Sequence, residues 1–550
     1  MNRLSYWSSL PLAVLVVFTA PILIVILSLF GGFSENWFHI FDYLIFDYVK
    51  SSLILVLGVT SIVLAVGTVT AWIVTTYNFP GKRLFEWALI LPLAIPPYIL
   101  AYTFTGLFDP FGDANNLARS LLGMDSNFVL FPNVRNIYGA IIVFGFTLYP
   151  YVYLVSRSAF INLSRSMQES ARLLGLSQFQ VFYKLSLPLI RPAVIGGLML
   201  VVMETLSDFG AVDHFAIQTF TTGIFRTWYG LYDLQTAMQL ASLLLLVIVI
   251  FYILERSNRG NELYSSSNST FSPNIEQNLY GINALLAFSL CFIPIFIGFL
   301  LPIIELSIWA YEVNLKFFDA NFINTFTNTI GLSLVTGLVC AALALLINFS
   351  ERYKPLFVIN RLSSLLSVGY AVPGLILAVG IVQLFVYLDT SVFSSLDVLL
   401  TGSLFGLILA YVIKTYALAN SSIESGYERI SNSLDDSSKI LGTVGWSLLR
   451  KVHMPLLKTS ILTSILLVMS DVIKELPATL ILRPFNFETL AVSAYVYASE
   501  ERMIQAAAPA IAIVMTGLIP IFFLSKMIRS SRPVKLSLIH ISEPTRHHVI

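Results

Sequence analysis

Twelve stretches of predominantly apolar residues, each close to the length of a bilayer crossing, run through this chain of 550 residues. A hydrocarbon core about 30 Å thick is crossed by about 20 residues of helix rising about 1.5 Å each. In the first half the stretches fall near Leu10–Phe30, Ser51–Tyr77, Trp87–Leu107, Ile137–Val155, Ala193–Val212 and Ala237–Leu254. In the second they fall near Ile282–Ile304, Thr327–Phe349, Leu362–Leu388, Leu400–Leu418, Ser460–Leu480 and Ala506–Ser525. The expected fold is an all-α polytopic membrane protein. Composition agrees: 57% of residues are hydrophobic and 11% charged, whereas a soluble domain carries roughly a quarter charged residues to hydrate its surface. A net charge of +1 offers no basic face for nucleic acid. The first apolar run is longer than a signal-peptide core and is followed by no clear cleavage site, so it reads as a retained anchor.

Lysine and arginine are retained on the cytoplasmic side of a membrane protein. With the N-terminus placed inside, the inside segments, Lys414 included, hold 23 of these residues and the outside segments 7, with Lys474 left in a membrane segment. Both termini are therefore expected in the cytoplasm. Cys291 and Cys340 lie in apolar runs and read as small buried hydrophobes, not as a disulfide or zinc site.

The chain repeats itself. Ile95-Pro96-Pro97-Tyr98-Ile99-Leu100-Ala101 recurs as Val372-Pro373-Gly374-Leu375-Ile376-Leu377-Ala378 at an offset of 277. Glu169-Ser170-Ala171-Arg172-Leu173-Leu174-Gly175 recurs as Asp436-Ser437-Ser438-Lys439-Ile440-Leu441-Gly442 at an offset of 267, which also carries Glu204 onto Asp471 and Asp208 onto Glu475. Six spans return the chain to the side it left, so the halves are parallel repeats about an axis along the membrane normal. The divisions are residues 1–254, a polar Ser/Asn-rich cytoplasmic linker at 255–278, and residues 279–535. Residues 536–550 resemble translated sequencing-adapter read-through, and no function is assigned to them.

The loops at about 158–192 and 419–458 carry the most informative motif. Each has an acid, two small residues, a glycine six positions after the acid and a proline thirteen further on. These are Glu169, Ser170, Ala171, Gly175 and Pro188, then Asp436, Ser437, Ser438, Gly442 and Pro455. Small residues admit a partner surface close to the backbone, glycine ends a helix, and proline reads as the start of the next. The pattern resembles the EAA loop of importer-type ABC transporter permeases, although Asp436-Ser437-Ser438 departs from that consensus.

The resemblance implies the MetI-like fold, a coupling helix seated in an ATPase groove, two copies of that ATPase, a periplasmic substrate-binding protein, and residence in a bacterial inner membrane. No Gly-x-x-x-x-Gly-Lys-Ser/Thr phosphate loop occurs here. The chain is thus expected to be a transport subunit and not an enzyme, with no cofactor of its own and with ATP and Mg on the partner. A secondary transporter would need no paired EAA-like loops. A membrane enzyme would need a catalytic cluster, and His39, His214 and His453 are scattered.

Ionisable side chains within spans are costly and need a reason. Glu204 and Asp208, four residues apart, are expected on one helical face, and Asp471 and Glu475 repeat them beside Lys474. Two readings stay open: an acidic lining or gate of a cation path, or an interhelical salt-bridge network with Lys474 and no transport role. No metal site is assigned. Asp213 and His214 are expected to be solvated at the outer end. Pro96, Pro97, Pro373 and Gly374 break spans three and nine, for hinging or for packing alone. Met203–Ala211 and Gln218–Ile224 resemble ferric-iron importer permeases, which implies Fe3+ as cargo, with thiamine, sulfate and polyamine permeases as relatives.

Overall fold

The computed structural model describes residues 6–125, 127–163, 165–259, 277–312, 319–353, 366–392, 394 and 399–530. Among these, ten helices are long and apolar enough to cross a bilayer, and two sharply bent helix pairs make the number twelve if each pair is counted as one span. Spans 1, 2, 4, 5 and 6 are Tyr6–Leu27, Ile45–Thr76, Ile137–Ile161, Gln178–Ser207 and Leu234–Arg259. Spans 7, 8, 9, 10 and 12 are Gly281–Glu312, Ala320–Tyr353, Gly374–Val392, Leu404–Tyr427 and Met503–Ser530. Span 3 joins Lys82–Ala94 to Pro97–Leu107 through an 88° bend, and span 11 joins Trp446–Leu456 to Lys458–Ile473 through a 77° bend.

Local chemistry sets the ends. Asn136 opens span 4 by accepting the N–H groups of Tyr138 and Gly139 at 2.9 and 3.0 Å, which satisfies two of the donors a helix start leaves free. Spans 2 and 4 then pack closely because glycine lets them. A Cβ on Gly67 would lie 2.9 Å from Val152 Cβ, and one on Gly145 2.7 Å from Ile62 Cγ2. In lipid, where no hydrophobic force drives helices together, such small-residue contacts supply the packing.

The two repeats interleave. Spans 1 and 6 pack on span 9, while span 7 packs on spans 2 and 3 and span 12 on span 3. One buried core therefore joins spans 2, 3 and 4 to spans 7 and 12, and the other joins spans 1 and 6 to spans 8, 9 and 10. Cys291 and Cys340 are free thiols buried in these cores.

Of the linker expected at 255–278, residues 255–259 continue span 6 as helix. Gln277–Asn278 pair in parallel with Tyr77–Asn78 at the turn between spans 2 and 3. Residues 260–276 and the tail 536–550 lie outside the described residues. Short helices that no span-length run announces, among them Phe220–Leu231 and Leu490–Ser499, follow spans 5 and 11.

Candidate functional site

The two motif loops fold alike. Glu169, Ser170 and Ala171 lie on the helix Arg165–Leu173, and Asp436, Ser437 and Ser438 on Asn432–Ile440. Gly175 and Gly442 end these helices at φ 87° and 76°, a conformation in which a Cβ is strained. The N–H groups of Gly175 and Leu176 bond to the carbonyls of Arg172 and Ala171 at 2.9 and 3.2 Å. Those of Gly442 and Thr443 bond to Lys439 and Ser438 at 3.0 and 2.9 Å. This is the Schellman closure, made twice at equivalent positions. It leaves Leu173 and Leu174 exposed by 90% and 84%, and Ile440 and Leu441 by 86% and 82%.

Pro188 and Pro455 do not begin the helices that follow. In the first half the helix opens at Ser177, which forms a capping box with Gln180, and runs through Pro188. In the second it opens at Trp446. A wide π turn precedes each proline, at Phe182–Ser186 and Leu449–His453. The missing proline N–H and its ring are accommodated there. In the first half the helix continues unbroken to Ser207, whereas in the second it breaks at Leu457, two residues after Pro455, and restarts at Lys458.

The second loop is tied by residues the motif does not contain. Asp435 accepts Arg352 Nε at 2.6 Å and lies 2.9 Å from His453 Nε2, while Arg352 also holds the carbonyls of Tyr427, Ile430 and Ser431. Burial alone would push the Asp435 carboxyl up, but the bonds from Arg352 and His453 outweigh it and hold it below the usual range. The motif acid Asp436 is exposed and pairs with Lys439 at 3.2 Å. His453 is therefore a buried packing residue, 1% exposed at its side chain. Only the proximity of Asp435 to the motif hinted at this, because Arg352 arrives from a distant span.

The intramembrane charges meet where four helices break. Span 5 ends at Ser207, and Asp208 leaves the helix with ψ 139°. Its carboxylate instead caps the next helix, Gly210–His214, accepting Ala211 N–H at 2.8 Å. Asp208 thus does not continue the face of Glu204, because its short side chain competes for backbone donors and stops the helix. Glu475 repeats the break after Ile473 and accepts Ala478 N–H at 3.4 Å.

Lys414 in span 10, counted above among inside residues, instead sits in a span and pairs with Glu475 at 2.5 Å. Lys474 pairs with Asp471 at 3.1 Å. Glu204 accepts the Tyr370 hydroxyl at 3.4 Å.

The broken spans close the junction. Pro97 and Gly374 stand at the first turns of Pro97–Leu107 and Gly374–Tyr387, behind Pro96 and Pro373 as caps. A Cβ on Gly374 would run into Glu475 Oε1, and one on Gly210 would lie 2.9 Å from Tyr98 Cβ. His214 is not solvated: it is buried and lies 3.0 Å from Thr105 Oγ1, whereas Asp213 keeps 25% of its side chain exposed, accepts from Tyr495 at 2.7 Å and pairs with Arg226 at 3.7 Å. Among the described residues, no three His, Cys, Asp or Glu side chains converge to hold a metal ion.

The sequence matches, over residues 64–259 and again over 343–531, the family described as the binding-protein-dependent transport system inner membrane component. The chain belongs to this family. It is a permease of a binding-protein-dependent transport system, and one match falls on each of the two repeats. It is 26% identical over 489 residues to the Fe(3+)-transport system permease protein FbpB 2 of Haemophilus influenzae, covering 87% of this chain and 90% of that one. It is 31% identical over 149 residues to the sulfate transport system permease protein CysT of Salmonella typhimurium, covering 26% of this chain and 50% of the other. The molybdenum transport system permease protein ModB of Haemophilus influenzae is 28% identical over 145 residues, 26% of this permease and 60% of its own length.

Proposed function

We propose that this permease carries ferric iron from periplasm to cytoplasm by alternating access, driven by two copies of a cytoplasmic ATPase and supplied by a periplasmic binding protein. The observation that carries the coupling part is the pair of equivalent loop helices, each ending in two exposed aliphatic side chains. Exposed apolar groups at the same place in both repeats suit a partner present in two copies. On this reading both termini and the two loops lie in the cytoplasm, and the loops transmit ATPase motion to spans 5 and 11.

The iron part is supported by a relative matched along nearly all of its length. It is supported also by a junction in which four acids, Glu204, Asp208, Asp471 and Glu475, outnumber Lys414 and Lys474. A sulfate or molybdate anion would be repelled there, whereas a hard cation takes oxygen ligands. The test is ATP-dependent uptake by the permease purified with its partners, comparing Fe3+ with thiamine, sulfate and molybdate. Uptake of Fe3+ alone is expected. Uptake without any associated ATPase would overturn the coupling, and uptake of another cargo would overturn the iron assignment.

A further inference from the structure

The helix Pro97–Leu107 carries two buried phenols that no hydrogen bond explains. Tyr98 and Tyr102 are 4% and 1% exposed, and neither hydroxyl has a hydrogen-bond partner among the described residues. A buried tyrosine hydroxyl ordinarily finds one. Four residues apart, the two lie on one face of the helix. At the far end of that helix stands Thr105 with His214, and Tyr102 lies against the His214 ring at 6.4 Å. At the near end, Tyr98 packs on Gly210, the first residue of the helix that Asp208 caps, and Leu476, next to Glu475, packs on the same glycine. The face therefore runs, polar group by polar group, from His214 to the acids of the junction.

The repeat makes the feature specific. At the offset of 277, Tyr98, Tyr102 and Thr105 correspond to Leu375, Val379 and Val382. The same helix in the other half is apolar along the matching face, so helix packing does not require the hydroxyls. Nor does the fold need a polar residue at either place.

We propose that this face of Pro97–Leu107 is the route by which the cargo cation reaches the junction. The Tyr98 and Tyr102 oxygens replace part of its hydration shell, and the Asp208 and Glu475 carboxylates receive it. Lys414 holds the Glu475 charge when no cargo is present and yields that carboxylate when the cation arrives. The phenol face is one-sided, supplied by the first repeat alone, and the second repeat contributes the Glu475 carboxylate. Two carboxylates and two phenols form an open set of hard oxygen ligands and not a closed cage, which suits a place that must release what it binds. For the identity of the cation, the proposal rests on the ferric-iron reading above.

The test uses the permease reconstituted in liposomes with its ATPase and binding protein, and reads radiolabelled Fe3+ moved and ATP hydrolysed. Tyr98→Phe and Tyr102→Phe remove only oxygens that have no partner, so folding and assembly are retained. The double variant is expected to move about tenfold less Fe3+ per ATP, the scale of a lost contact to a charge, with hydrolysis unchanged. Iron moved per ATP at the wild-type level would overturn the route. A proportional fall of transport and hydrolysis would also overturn it, because the hydroxyls would then serve the structure and not the cargo. A wild-type complex that moves no Fe3+ overturns the cargo reading first, before any variant is compared, and the cation route falls with it.

Discussion

Lys414, midway along span 10, reaches Glu475 in the break after span 11, with Nζ and Oε2 2.5 Å apart. The pair joins two spans through charges whose side chains are only 17% and 8% exposed. Removing one partner strands the other in a poorly hydrated place. Lys414→Met is expected to destabilise the permease by about 3–5 kcal/mol, and Lys414→Met with Glu475→Gln by much less. Thermal unfolding in detergent, followed for both variants, checks this. Equal losses would show that the charges are not coupled.

The exposed aliphatic pairs offer a separate handle. Leu174→Glu and Leu441→Glu are expected to weaken ATPase association about tenfold or more each, the scale of an interface hot spot. Neither should alter the thermal stability of the permease alone, since both side chains project into solvent. Co-purification and ATPase titration against the reconstituted permease give the answer. Undiminished association would place the ATPase elsewhere.

At the ends of the same helices, Gly175→Ala and Gly442→Ala meet open space, with no atom within 4 Å of the added Cβ. The cost is purely conformational, about 1–2 kcal/mol per site. Hydrogen exchange at the Leu176 and Thr443 amides should rise in the respective variants, while the spans stay protected.

Asp435 provides a pH dependence with a definite sign. Its carboxyl titrates lower in the folded protein than in the unfolded chain. The stability it contributes is therefore complete above the unfolded value of about 3.9, and it is lost as pH falls through the folded value. Stability measured downward from about pH 5 should decline more steeply in the wild type than in Asp435→Asn. Parallel curves would remove Asp435 from the acid response.

Glu204 and Asp471 occupy equivalent places in the two repeats. Neutralising both, Glu204→Gln with Asp471→Asn, is expected to abolish Fe3+ uptake while the complex still assembles. Wild-type uptake by that double variant would take both acids off the path.

Much of this was legible in the chain because one-dimensional patterns carry it. Ten of the twelve apolar stretches form unbroken span-length helices and the third and eleventh form bent pairs, since lipid admits only helices and closed barrels. The repeated Glu169 and Asp436 motifs, with Gly175 and Gly442 six residues on, dictate two like helix endings because only glycine relaxes at those φ values. The Asp208 break was less legible. A spacing of four looks like one helical face, and nothing local showed that the carboxylate would turn to cap Ala211 instead.

What tertiary structure alone decided is partnership. Lys414 looks like one more cytoplasmic lysine until span 10 is threaded past the break at Glu475, and Asp435 looks like a neighbour of the motif until Arg352 arrives from span 8. The crossing of spans 1 and 7 into the opposite repeat has no trace in the periodicity. Hydropathy reports the solvent each residue prefers, a property of the residue and its near neighbours. An ion pair, or a phenol left without a partner, depends on which distant segment the fold brings alongside.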